Sequence, residues 1–110
     1  MERVKYMQLL FSRRHMNVYY CNRNKNYIVY NTNKEWKNEN GECGHTHVNT
    51  YQQALYLVDC VIHKKIPKRV NKYFLASLIR LSTDTKYIEK IQKRIDNEPK
   101  KVIEMYREIF

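Results

Sequence analysis

Two stretches near the start of the chain alternate or mass apolar side chains in the way a pleated strand does. Asn17-Val18-Tyr19-Tyr20-Cys21-Asn22 and Tyr27-Ile28-Val29-Tyr30-Asn31 are rich in β-branched and aromatic residues, which suit a half-buried sheet surface. Between them lies the polar turn Arg23-Asn24-Lys25-Asn26, where Asn tolerates positive φ. A second turn signal, Asn38-Glu39-Asn40-Gly41, follows Trp36 and leads into Glu42-Cys43-Gly44-His45-Thr46-His47-Val48. The pattern predicts a three-stranded antiparallel meander over residues 17–48. Ahead of it, Val4, Met7 and Leu10/Phe11 fall at helical spacing. That predicts a short helix over residues 3–12, with Arg13, Arg14 and His15 at its negative end.

After Val48 the period changes to that of a helix. Asn49 or Thr50 can cap, with Gln52 or Gln53 completing a capping box. Ala54, Leu55, Leu57, Val58, Val61 and Ile62 give the segment 51–65 a wide apolar stripe, so this helix is expected to pack across the sheet. Val70, Tyr73, Phe74, Leu78 and Leu81 predict a second helix over 70–81. Tyr87, Ile88, Ile91 and Ile95 predict a third over 84–96, capped within Ser82-Thr83-Asp84. Asn97-Glu98-Pro99 precedes a fourth over 99–110. The expectation is an α+β fold: a short N-terminal helix, the meander, then a four-helix C-terminal array. Its 110 residues make a single domain, 1–110, with no linker and no internal repeat. The order strand–strand–strand–helix is similar to that of several small DNA-binding modules, including the arm-binding domains of integrases. The similarity is one of element order.

Composition narrows the class. Hydrophobic residues make up 43% of the chain, too many for a disordered chain, and no apolar run approaches the length of a membrane span. No membrane partner is expected. Asn, Lys, Tyr and Ile, all with A/T-rich codons, supply 43 residues, against two Ala, which points to a low-GC genome or its mobile elements. The start of the chain lacks a signal-peptide pattern, so a cytoplasmic location is expected, and the three cysteines are expected to be reduced.

Charge changes the picture most. Lys and Arg number 21 against 11 Asp and Glu, a formal net charge of +10. No acidic residue lies between Cys60 and Thr83, a stretch that holds Lys64, Lys65, Lys68, Arg69, Lys72 and Arg80. Lys64 and Lys65 end one expected helix, where cations suit the dipole. Lys68, Arg69 and Lys72 open the next, where they oppose it. A bend at Ile66-Pro67 would gather these five on one corner able to attract polyanions. Arg13, Arg14, Arg23 and Lys25 form a supporting set, with Tyr19, Tyr20, Tyr27 and Tyr30 on the strands as candidates for stacking on bases.

Other chemistry is thinner. Cys43, His45 and His47 alternate on one strand and share a face, but their spacing is not that of a zinc knuckle, and three ligands along a flat strand span about 13 Å. No metal and no cofactor are expected. No nucleophile elbow, phosphate-cradling Gly-rich loop or acidic cluster occurs, and a non-enzymatic protein follows. The expected role is docking on nucleic acid or a nucleoprotein complex through Lys64, Lys65, Lys68, Arg69 and Lys72, with Arg13, Arg14, Arg23 and Lys25 in support. The alternative is a phage or mobile-element inhibitor, anti-CRISPR-like, that binds a host defence protein. It would use its Tyr-rich surface and C-terminal helix, the latter also as a homodimer seam. A second alternative is a small ribonuclease using His45 and His47.

Overall fold

The structure is a computed structural model that describes residues 6–97. Four strands, β1 (Met7–Arg13), β2 (Met16–Cys21), β3 (Asn26–Asn31) and β4 (His45–Val48), precede three helices, α1 (Tyr51–His63), α2 (Lys72–Leu81) and α3 (Thr85–Asn97). The strands form one antiparallel sheet in the order β1-β2-β3-β4.

This corrects the expected architecture while keeping it α+β. The segment expected as an N-terminal helix is the edge strand β1, so the sheet has four strands and not three. The helical spacing of Met7 and Leu10/Phe11 is the trace of a bulge. Leu9 pairs with Tyr19 and Phe11 with Val18, leaving Leu10 as the extra residue. One inserted residue shifts the side-chain alternation by one, and a broken period of two mimics a period of three to four. The described helices number three; the fourth expected helix, over 99–110, lies outside the described residues, as does the homodimer seam assigned to it.

Register sorts the side chains into two faces, because residues paired across strands share one. Phe11, Met16, Val18, Val29, Thr46 and Val48 point inward, and all but half-buried Phe11 are buried. α1 lies against this inner face with Ala54, Leu57, Val58 and Val61 fully buried. Thr50 caps it as the sequence allowed, its hydroxyl accepting from Gln53 N at 3.1 Å while Gln53 Oε1 accepts from Thr50 N at 3.2 Å. α2 packs beside α1 against β3 and β4, and α3 packs on α2. Buried Asn31 joins sheet to helix: its amide donates to the Leu81 carbonyl at 2.7 Å, meeting one of the orphan acceptors at the end of α2.

The outer face carries three cross-strand rows. They are Ser12–Asn17–Tyr30–His45, then Leu9–Tyr19–Ile28–His47, then Met7–Cys21–Asn26. Ile28 and Cys21 are buried there, Asn17, Tyr19, Tyr30 and His45 are half-buried, and Leu9 and His47 are exposed. Among the described residues, α1 and α2 pack on the inner side of the sheet.

Candidate nucleic-acid interface

α1 stops earlier than Pro67. His63 is its last residue, and Lys64 turns left-handed at φ 56°, ψ 42°. Lys65 N then donates to the Cys60 carbonyl at 2.9 Å, closing a Schellman turn. Tyr87 of α3 completes this end. Its hydroxyl contacts the carbonyls of Lys65 at 2.5 Å and Cys60 at 3.2 Å, and burial pushes its ionisation well above the ordinary tyrosine value. Arg94, also on α3, holds the next bend by donating to the carbonyls of Pro67 (2.8 Å) and Lys68 (2.6 Å). The 64–72 segment is therefore a fixed loop clamped by α3.

α2 begins only at Lys72, behind the N-cap Asn71, whose side chain accepts from Phe74 N at 2.9 Å. Lys68 and Arg69 thus lie in the loop and not in the first turn of the helix. Of the three cations expected to oppose the dipole, Lys72 alone does so. Its ammonium sits 5.6 Å from the centre of the Tyr73 ring.

Carboxylates reach part of the set. Lys65 Nζ is 2.8 Å from Asp59 Oδ2, and Lys64 Nζ is 3.6 Å from Asp84 Oδ2 and 5.8 Å from the Tyr87 ring centre. The Lys65 hydrogen bond is the main cause holding the Asp59 carboxyl below its ordinary value, with His63 and Arg13 adding to it. Asp84 is lowered chiefly by the Tyr87 backbone N–H. All four partners are substantially exposed, so both pairs are weak and exchange readily with an outside anion.

The supporting set divides. Arg13 Nη2 lies 3.5 Å from His63 Nε2, so the β1–β2 turn, with Arg13 and Arg14, meets the end of α1. Arg23 and Lys25 sit in the β2–β3 turn at the other end of the six-residue strand β2, about 20 Å away. Arg23 lies over the Tyr6 ring at 5.2 Å. The corner thus unites Arg13, Arg14, Lys64 and Lys65 with the loop carrying Lys68 and Arg69, beside the carboxylates of Asp59 and Asp84 among the described residues. Arg14, Lys25 and Arg69 make no ion pair with a described residue. Among the described residues, Arg14 (φ 54°), Lys25 (φ 56°) and Lys64 are the only non-glycine residues with positive φ.

The Cys and His residues do not converge. His45 stacks on Trp36, centroids 3.8 Å apart and planes at 12°, and its Nδ1 is 2.8 Å from the Trp36 carbonyl. His47 turns edge-on to His45 at 5.4 Å, with Nδ1 3.1 Å from Asn26 Oδ1, and burial lowers its pKa. Cys43 precedes β4, paired with Lys37 in an isolated bridge, its thiol 3.7 Å from the Gly41 carbonyl. No three His, Cys, Asp or Glu among the described residues are placed to hold a metal ion, and no described helix is long and apolar enough to cross a membrane.

No family model, curated protein or solved structure matches this chain. Its chemistry rests on its own residues.

Two features escaped the sequence reading. Lys34 is half-buried and caps α2, its ammonium 2.6 Å from the Arg80 carbonyl and 3.3 Å from that of Ser82; burial lowers its pKa. Trp36 lies in the loop joining β3 to β4, where it packs against Tyr30 at 5.2 Å and covers His45. Its place beside two turn signals was visible, but the fold-back that brings it to the outer face depends on Gly44, which pairs with Glu35 across the loop.

Proposed function

We propose that this protein binds nucleic acid through phosphate contacts made by the corner where the β1–β2 turn meets the end of α1. Arg13, Arg14, Lys64, Lys65, Lys68 and Arg69 supply the charge. Arg23 and Lys25 at the far turn extend the contact along a strand of phosphates. Such contacts position a ligand without specifying its sequence.

The observation that carries this reading is the left-handed backbone at Arg14, Lys25 and Lys64. A residue with a Cβ costs about 1 kcal/mol more than Gly there, and Asn is tolerated better than Lys or Arg. The chain is not short of Asn, with 11. It nevertheless places a cation at each of three turn tips, two of them at the corner. Strain kept in the same chemical form at several points is a mark of use. The pairing of Lys64 and Lys65 with Asp84 and Asp59 works against the reading, but exposed pairs are weak competitors for a polyanion.

The test is a titration with mixed-sequence 20-nucleotide single strands and duplexes at 50 and 200 mM salt. Five or so phosphate contacts predict a loss of roughly 10²- to 10³-fold in affinity over that range. Lys68→Glu/Arg69→Glu is expected to abolish binding, and Arg14→Gly to flatten the salt slope by about one unit. Binding that ignores salt and these substitutions would discard the corner. It would also return attention to the inhibitor reading.

A further inference from the structure

One side chain of the corner is of the type that gains charge as pH falls from 8 to 5. His63 ends α1, and its Nε2 lies 3.5 Å from Arg13 Nη2 and 3.5 Å from Asp59 Oδ1. A guanidinium only donates hydrogen bonds and a carboxylate only accepts them. Nε2 therefore serves one neighbour at a time. Bare, it accepts from Arg13; carrying a proton, it donates to Asp59. A neutral ring has both options, because its one proton sits on either nitrogen. The imidazolium has no lone pair and is left with Asp59.

We infer that His63 is a proton-dependent phosphate contact, through which mild acid tightens the hold of this corner on nucleic acid. The inference rests on the phosphate-binding reading above and names a regulator of that same site. With a neutral ring, Arg13 and Lys65 surround Asp59, two cations to one carboxylate. The proton makes three to one. It also takes from Arg13 the ring nitrogen that accepts its hydrogen bond and puts a like charge there, which turns the guanidinium fork outward to a phosphate. The His63 side chain is 43% exposed, so the same phosphate reaches the ring.

The groups around the ring keep their charge over that range. Arg13 belongs to β1, Asp59 to α1, and Lys65 to the turn behind α1, where it holds Asp59 Oδ2 at 2.8 Å. Lys64 is turned to α3, with Asp84 and the Tyr87 ring. Of the other elements packed on α1, β2 and β3 contain no Asp, Glu, Lys, Arg or His. β4 carries His45 and His47, turned to each other, and α2 carries Lys72 beside Tyr73 and Arg80 beside Thr46. Arg14 and His15 follow Arg13 in the β1–β2 turn, so His15 is the histidine to control for.

The test is a fluorescence-anisotropy titration of labelled 20-nucleotide oligo(dT) with the full chain, at pH 5.5 and 8.0 and at 50 and 200 mM salt. Thymine carries no group that titrates between those pH values, so the proton uptake is the protein's. One added phosphate contact predicts affinity roughly tenfold higher at pH 5.5 in 50 mM salt, a smaller gain in 200 mM, and a salt slope steeper by about 0.7 unit. His63→Asn is expected to bind as the parent does at pH 8.0 and to lose the gain; His63→Gln replaces it if it does not fold. His63→Lys, a fixed cation, is expected to bind at pH 8.0 as the parent does at pH 5.5. His15→Asn is expected to keep the gain. Equal affinity at the two pH values, a gain that survives the loss of the His63 ring, or one lost with His15 instead overturns the role of His63 and leaves the corner reading standing. No binding under any of the four conditions overturns both.

Discussion

Lys64 shows at one residue how stability and charge are opposed in this chain. It closes α1 in the left-handed region, a position where helices usually place Gly. Its side chain returns only an exposed pair with Asp84 and a distant contact with the Tyr87 ring. Lys64→Gly is therefore expected to leave the fold as stable or to stabilise it by up to about 1 kcal/mol, while removing one cation from the corner. Urea unfolding of parent and variant checks this, and a loss above about 1 kcal/mol contradicts it. The corner cations themselves were legible in the sequence as a run without acids. Their pairing was less so. Asp59 lies outside the run by one residue, and Lys65 reaches back to it only because the left-handed turn at Lys64 folds the chain over the end of α1. That turn has no Gly or Asn to announce it.

Among the elements, the loop from Thr32 to Gly44 is the one the chain pattern described least. Gly44 N donates to the Glu35 carbonyl at 3.0 Å, and its own carbonyl accepts from Asn31 N at 3.0 Å, so the loop is sewn to β3 at its base. A Cβ at this position would lie 2.6 Å from Lys34 Cβ and 2.7 Å from the Glu35 carbonyl oxygen. Neither neighbour is a flexible tip. Gly44→Ala is expected to destabilise by about 1–3 kcal/mol and to lift Trp36 from His45. Thermal unfolding and the Trp36 emission maximum report the two effects separately. The helices were easier to read, because amphipathic stripes of ten to thirteen residues and side-chain caps at Thr50 and Asp84 are local signals, although the Asn71 cap that starts α2 lay inside the helix expected over 70–81. β4 falls within the residues read as strands, and β2 and β3 each begin one residue earlier, at Met16 and Asn26. β1 was misread since its identity is set by pairing with β2, a contact that periodicity within ten residues does not contain.

Across the whole molecule, seven cations stand in the nominated corner and bend; Asp59 and Asp84, which pair with Lys65 and Lys64 among the described residues, both have carboxyls held below their ordinary values. A carboxylate with a depressed folded pKa contributes stability above its unfolded value, near 3.9, and loses it as pH falls through the folded value. Stability is thus expected to hold from neutral pH down to about pH 4 as far as these two groups are concerned, then to decline. Asp59→Asn should shrink that acid decline, as measured by denaturant midpoints between pH 2 and 6. Binding should gain from the same substitution, because Lys65, Arg13 and His63 lose the carboxylate they surround. The outer face was only half visible beforehand. Alternation placed tyrosines on both sides of the sheet, but which side the helices would cover was a question of packing, and packing is decided by all elements together.

The extra residue at Leu10 has a bearing on how the molecule behaves in a crowded solution. β1 is an edge strand with greasy, solvent-facing side chains at Leu9 and Leu10, the sort of border along which sheets polymerise end on end. A kink there spoils the docking of a straight neighbour. Shortening the strand by that one leucine would restore an even ladder, and the cost would be met in the test tube as haze, gels and fibres long before any loss of folding was noticed.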